Sequence, residues 1–121
     1  MNNRTAVAKA EAVAAEHGRD PFHIARKLGF RVVYEHLPEG CDEMVLPDVR
    51  VMFLRPEHRR DAETARRVVA HALGHVFLHA GDQTGLLDPV LPKHFFVGHE
   101  RQAEAFALAL LYGSAVGGAY R

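Results

Sequence analysis

Histidine is the residue type through which this sequence can do chemistry. The chain has nine histidines but a single cysteine, Cys41, and a single serine, Ser114. His71 and His75 are four residues apart, so a helix would place both rings on one face, about 6 Å apart along its axis. Two imidazoles at this spacing can bind one metal ion, although a pair of core or surface histidines has the same spacing. His79 lies about 12 Å from His71 along such a helix, too far for one zinc ion with bonds near 2.0 Å. We therefore expect His79 to pack beside the site or to support a ligand.

A third ligand is expected from the last predicted helix. Its apolar residues follow the spacing of a buried face and comprise Ala103, Phe106, Ala107, Leu110 and Leu111. Continued backwards, this face reaches Glu100. A carboxylate there needs a cation or several donors, or it simply benefits from the helix N-terminus. Glu104, one turn later, is placed to accept a hydrogen bond from a ligand histidine.

The elements that must position these residues are helices and a short sheet. The two helices that carry the candidate ligands are predicted over residues 62–80, with Asp61 as the N-cap and Gly81 as the stop, and over residues 99–112. Upstream, the patterns predict a helix over 5–17, a short helix after Asp20-Pro21, a strand over 30–37, and a hairpin of 41–46 with 49–54 around Pro47-Asp48. The expected fold is α+β, with an antiparallel sheet of about three strands.

Size and charge narrow the class of protein. A chain of 121 residues fits one domain, here taken as residues 1–121, and its net charge of zero argues against a nucleic-acid surface driven by bulk charge. The longest uncharged run is too short and too rich in glycine to span a bilayer, and the N-terminus does not read as a secretion signal. A cytoplasmic location is expected. The apolar segment 82–98 is long enough to suggest a lid or a binding loop.

Two segments together resemble the ImmA/IrrE family of zinc metallopeptidases, which are small gluzincin-like domains. The family pattern is Ala-His-Glu-Leu-Gly-His followed by a downstream Glu-x-x-Ala-x-x-Phe-Ala helix. This chain has Ala-His-Ala-Leu-Gly-His at positions 70–75 and Glu-Arg-Gln-Ala-Glu-Ala-Phe-Ala at positions 100–107. The resemblance covers roughly residues 20–112. It implies a zincin-like domain with one zinc ion per chain, bound by His71, His75 and Glu100.

The resemblance also implies a departure at the centre of the site. The family's catalytic glutamate, which moves the proton during peptide hydrolysis, corresponds to Ala72 here. Losing a general base costs about 10²–10⁴ in rate, so the chain is expected to be inactive or nearly so as a peptidase. Because every ligand position is filled, we favour an engineered inactive variant. The alternative is a natural pseudoprotease that acts as a regulatory protein-binding module, and a metal-free structural domain is a third hypothesis.

The expected partner is a protein or peptide. By resemblance, the substrate is a protein such as a helix-turn-helix transcriptional repressor, and no direct contact with nucleic acid or membrane is expected. An extended substrate is best held at a sheet edge, for which residues 49–54 are the candidate strand. The candidate substrate-binding residues are therefore Val49, Val51 and Phe53 on that strand, with Phe95 and Phe96 in the following loop.

Overall fold

The computed structural model describes residues 3–79 and 97–113 of this chain. In these ranges it is a small α+β domain with four α-helices and a three-stranded sheet. The helices are α1 (Asn3–His17), α2 (Pro21–Lys27), α3 (Ala62–His79) and α4 (Val97–Tyr112), and the strands are β1 (Arg31–Tyr34), β2 (Glu43–Leu46) and β3 (Val51–Leu54). A short 3-10 helix, Pro56–Arg60, connects β3 to α3. None of the helices in the described ranges is long and apolar enough to cross a membrane.

The predicted caps of α2 and α3 and the predicted end of α1 are confirmed, whereas α1 and α4 each begin two residues earlier than predicted. Gly18 follows α1 with φ 84°, a backbone conformation that glycine adopts without strain. Asp20 caps α2, since its carboxylate accepts a hydrogen bond from the Phe22 amide at 3.0 Å. Asp61 caps α3 in the same way by accepting from the amides of Glu63 and Thr64. The predicted stop at Gly81 and nearly all of the proposed loop 82–98 lie outside the described residues.

The sheet is mixed, and this corrects the expectation of an antiparallel sheet. The hairpin is confirmed, because β2 and β3 pair antiparallel with Glu43 opposite Leu54 and Val45 opposite Met52. However, the strand order is β1-β3-β2, and β1 pairs parallel with β3. The chain reverses twice between β1 and β3, once into β2 and once at the hairpin turn. The strand that returns beside β1 therefore runs in the same direction as β1.

The core lies between the sheet and the helices, and α4 is at its centre. Helix α4 packs extensively against both α3 and α1, and every residue from Gln102 to Leu111 except Glu104 is buried. The predicted apolar stripe is thus only part of the buried surface of this helix, because two helices cover it from different sides. Gly74 on α3 allows the close contact: a Cβ added there would lie 2.9 Å from both the Cα and the carbonyl oxygen of Ala103. The contact of α3 with α4 brings the predicted ligands together.

Candidate metal centre

The structure brings His71, His75 and Glu100 together across the contact of α3 with α4. The Nε2 atom of His71 lies 2.8 Å from Oε2 of Glu100, and Nε2 of His75 lies 3.0 Å from Oε1 of the same carboxylate. Both imidazole rings are largely buried, whereas the Glu100 side chain is 41% exposed. Glu100 therefore lies at the rim of the buried face of α4 and not fully within it. Two nitrogens and one carboxylate that converge in this way are ligands that zinc prefers.

A fourth group, Glu43, enters this cluster from the sheet. Its Oε1 atom lies 3.7 Å from Nε2 of His71, and its side chain is 15% exposed. One ligand atom each from Glu43, His71 and His75 lies within 4.8 Å of the others, which makes these residues a candidate metal-binding triad. Glu43 was not among the residues singled out from the sequence. The signal available there was an acidic residue two positions before Val45, and hence on the same face of the strand.

The separations of these atoms fit a single small cation. In a tetrahedral zinc site with bonds of about 2.0–2.1 Å, neighbouring ligand atoms lie about 3.3–3.4 Å apart. The separations from Nε2 of His71 are 2.8 Å to Glu100 and 3.7 Å to Glu43, on either side of that value. The donor set therefore fits a divalent ion of the zinc type, and the contact between His71 and Glu100 would open by about 0.5 Å to admit it.

Glu104 holds the His71 ring from the side away from the centre. Its Oε2 atom accepts a hydrogen bond from Nδ1 of His71 at 3.0 Å, as the sequence predicts. Arg67 lies 3.3 Å from the other oxygen of Glu104 and anchors the carboxylate. With the ring proton on Nδ1, the lone pair of His71 Nε2 is directed to the centre, which is the arrangement that a metal ligand requires.

His79 and Gln102 form the corresponding support for His75. The Nδ1 atoms of His75 and His79 lie 3.1 Å apart, and Nε2 of His79 lies 2.7 Å from Oε1 of Gln102. An amide oxygen only accepts, so His79 carries its proton on Nε2 and its Nδ1 accepts from Nδ1–H of His75. The Nε2 lone pair of His75 is then available at the centre. His79 is therefore a supporting residue, whereas Gln102 was missed because its partner is on another helix.

The electrostatics of the metal-free site centre on His71. Burial by itself lowers the pKa of His71, but hydrogen bonds to Glu100 and Glu104 and the charge of Glu43 outweigh it and raise the pKa to about 10. Burial likewise acts to raise the pKa of Glu100, yet its contacts with His71 and His75 hold this pKa far below its usual range. Hydrogen bonding to His71 also lowers the pKa of Glu104. A proton on His71 thus occupies the place that a cation would take.

Glu43 is the carboxylate for which burial dominates. Desolvation raises its pKa, and the opposing charges of His71 and His75 only partly offset the effect. A buried carboxylate in this state is stabilised by a nearby cation. Glu43 therefore favours a metal ion at this site, because the two histidines offset the cost of burying its charge only in part.

Two further predictions concern Ala72, at the position of the missing general base, and residues 49–54, the predicted substrate strand. Ala72 is fully buried in the hydrophobic core. The prediction that residues 49–54 form a free sheet edge is wrong, because β3 lies between β1 and β2 and pairs with both. Val51 and Phe53 therefore have no unpaired strand edge to offer a peptide, and Val49 lies in the exposed turn before β3. Phe95 and Phe96 lie outside the described residues.

Comparisons with family models, with curated proteins and with solved structures found no significant match to this chain.

Proposed function

We propose that this chain is a zinc-binding domain that holds one zinc ion through His71, His75 and Glu100. The observation that carries the proposal is the convergence of the two Nε2 atoms on the two oxygens of one carboxylate, at 2.8 and 3.0 Å. Two further contacts support it, because His71 donates its Nδ1 proton to the half-buried Glu104 and His75 donates its own to the buried His79, which directs both Nε2 atoms to the centre.

The motif at positions 70–75 and the pattern at positions 100–107 of α4 support a place among ImmA/IrrE-type metallopeptidases. In such a site, bound zinc polarises a peptide carbonyl and lowers the pKa of water. The chain's own contribution is to hold and orient the ligands. The chain lacks the general base, since the side chain of Ala72 cannot accept a proton. We therefore propose that the chain with alanine at this position does not cleave peptides. By resemblance, the protein that it binds is a helix-turn-helix repressor.

A natural regulatory module is the second candidate, and Glu43 favours it. A laboratory change of a single glutamate to Ala72 accounts for the missing base but not for an additional carboxylate 3.7 Å from a ligand nitrogen. A domain that keeps its metal but performs no hydrolysis accounts for both features. The inactivated peptidase and the regulatory module share the metal centre. They differ in whether a glutamate at position 72 restores cleavage.

Metal analysis tests the centre. Purified protein is expected to contain one zinc per chain, and His75→Ala is expected to lose it. His23→Ala removes an exposed histidine from α2 and serves as the matched control, which should retain the ion. A chelator should lower the melting temperature of the parent and of the control, because an ion that binds only the folded state stabilises it. Equal zinc content in His75→Ala and in the parent would refute the assignment.

Restoring the base separates the two candidates. Ala72→Glu is tested for cleavage of a repressor encoded by a neighbouring gene, with its zinc content and melting temperature measured alongside. An inactivated peptidase should gain cleavage by about 10²–10⁴ over the parent. A variant that retains zinc and fold but does not cleave identifies the regulatory module.

A further inference from the structure

Glu43 lies on the face of the sheet that is packed against the core. In the register of the hairpin it is opposite Leu54, and Val45 is opposite Met52. Directly opposed residues of antiparallel strands project to the same face, and Val45, Met52 and Leu54 are all buried. An acidic residue on such a face is costly to bury without a cation or donors. Its Oε1 atom lies 3.7 Å from Nε2 of His71.

We propose that Glu43 is a fourth protein ligand, so that the metal ion is held by His71, His75, Glu100 and Glu43 in a closed site. This inference rests on the proposed zinc centre and specifies its coordination. The separation of 3.7 Å between Glu43 and His71 is longer than a hydrogen bond but is close to the edge of a zinc tetrahedron, about 3.3 Å. A carboxylate oxygen and a ring nitrogen at this distance can bind one ion between them.

The charges around the centre support the same conclusion. Glu43, Glu100 and Glu104 carry three negative charges within reach of His71, at 3.7, 2.8 and 3.0 Å. Arg67 supplies one positive charge beside Glu104. A divalent cation supplies the other two, and the cluster is then neutral with both histidines uncharged. Without Glu43, the same cluster with a divalent ion would have an excess positive charge in a largely buried position.

A closed site has a consequence for function. Zinc sites with four protein ligands are structural, whereas catalytic sites keep one position open for water or substrate. The absence of a base at Ala72 and the presence of Glu43 then have one explanation: the ion joins the sheet to α3 and α4 and does not take part in hydrolysis. The centre connects three elements that are far apart in sequence.

Zinc affinity and access to the ion test the proposal. We compare the parent protein with Glu43→Gln, which keeps the shape of the side chain and removes its charge. Asp42→Asn is the matched control, because it makes the same change at the adjacent, largely exposed residue. Loss of a residue that merely supports a ligand costs about 10–100-fold in affinity, so loss of a ligand should weaken zinc binding by about 100-fold or more. The control should stay within about threefold, since exposed charges are well screened.

Access to the ion is measured on cobalt-loaded protein by adding 2-mercaptoethanol. A thiolate can bind Co²⁺ only at an open position, where it produces a near-ultraviolet charge-transfer band. We expect no band in the parent protein and a band in Glu43→Gln. The measurement on the parent protein tests the closed site by itself, so the test remains decisive even if Glu43→Gln does not fold.

Two outcomes overturn the inference while leaving the zinc centre intact: zinc affinity unchanged in Glu43→Gln, or a charge-transfer band in the parent protein. Failure of the proposed centre looks different, because zinc would then be absent from the parent or retained by His75→Ala. The two failures are therefore distinguishable.

Discussion

Gly74 is the residue whose replacement should disturb the metal centre most without removing a ligand. It lies between His71 and His75 on α3, and a Cβ built on it would lie 2.9 Å from the Cα and carbonyl oxygen of Ala103 and 3.2 Å from the Cβ of that residue. Carbon atoms pack at about 3.5–4.0 Å, so Gly74→Ala requires α3 and α4 to separate by roughly 0.5–1 Å. The atoms that it meets are mostly backbone, which cannot move aside by a change of rotamer.

The magnitude follows from two opposing effects. Alanine in place of glycine inside a helix stabilises it by about 1 kcal/mol, whereas overpacking a well-packed contact costs about 1–3 kcal/mol. Contact with backbone places the cost of Gly74→Ala at the upper end, so the net loss should be about 2 kcal/mol. For a domain of this size, that lowers the melting temperature by roughly 6–10 °C. Metal binding should weaken as well, because Glu100 is on the helix that moves.

The assay is thermal unfolding of metal-free protein, followed by a zinc titration against a competing chelator. Gly98→Ala is the matched control: Gly98 is also helical, and its added Cβ meets no atom within 4 Å in the described part of the chain. This control should be neutral or slightly stabilised and should bind zinc as the parent does. If Gly74→Ala melts at or above the temperature of the parent, the close approach of the two helices is refuted.

Three further predictions concern the protonation, support and framework of the site. The pKa of His71 is raised from 6.5 to about 10 in the metal-free protein, so its stabilising effect is complete below pH 6.5 and is lost as the pH rises through about 10. Over that interval, zinc affinity should rise by about tenfold per pH unit, because the ion displaces this proton; a titration that shows no pH dependence would contradict the assignment. Gln102→Leu should weaken zinc binding by about 10–100-fold through loss of the support of His75, with little change in α-helix content by circular dichroism. Phe53→Pro should abolish the cooperative unfolding transition and not merely peptide binding, since Phe53 lies inside the central strand β3, where proline removes a ladder donor; a normal melting curve would contradict the central position of β3.

The sequence by itself determined most of what depends on local spacing. The four-residue interval of His71 and His75 places both rings on one face of any α-helix, whatever that helix packs against. The caps at Asp20 and Asp61 and the turn between β2 and β3 are likewise local, because they depend on hydrogen bonds and backbone conformations within a few residues. The same holds for Glu100, whose place on α4 follows from the helical period.

Only the tertiary structure decided which of these elements meet. The strand order β1-β3-β2 could not be predicted from three short apolar segments, because alternation marks the two faces of a strand but not its neighbours in the sheet. Glu43 reaches the centre because the hairpin docks one particular face on α3, and Gln102 supports His75 because Gly74 lets α4 come close to α3. These contacts join residues distant in sequence and depend on packing between elements, which the helical and strand periods of each segment do not encode.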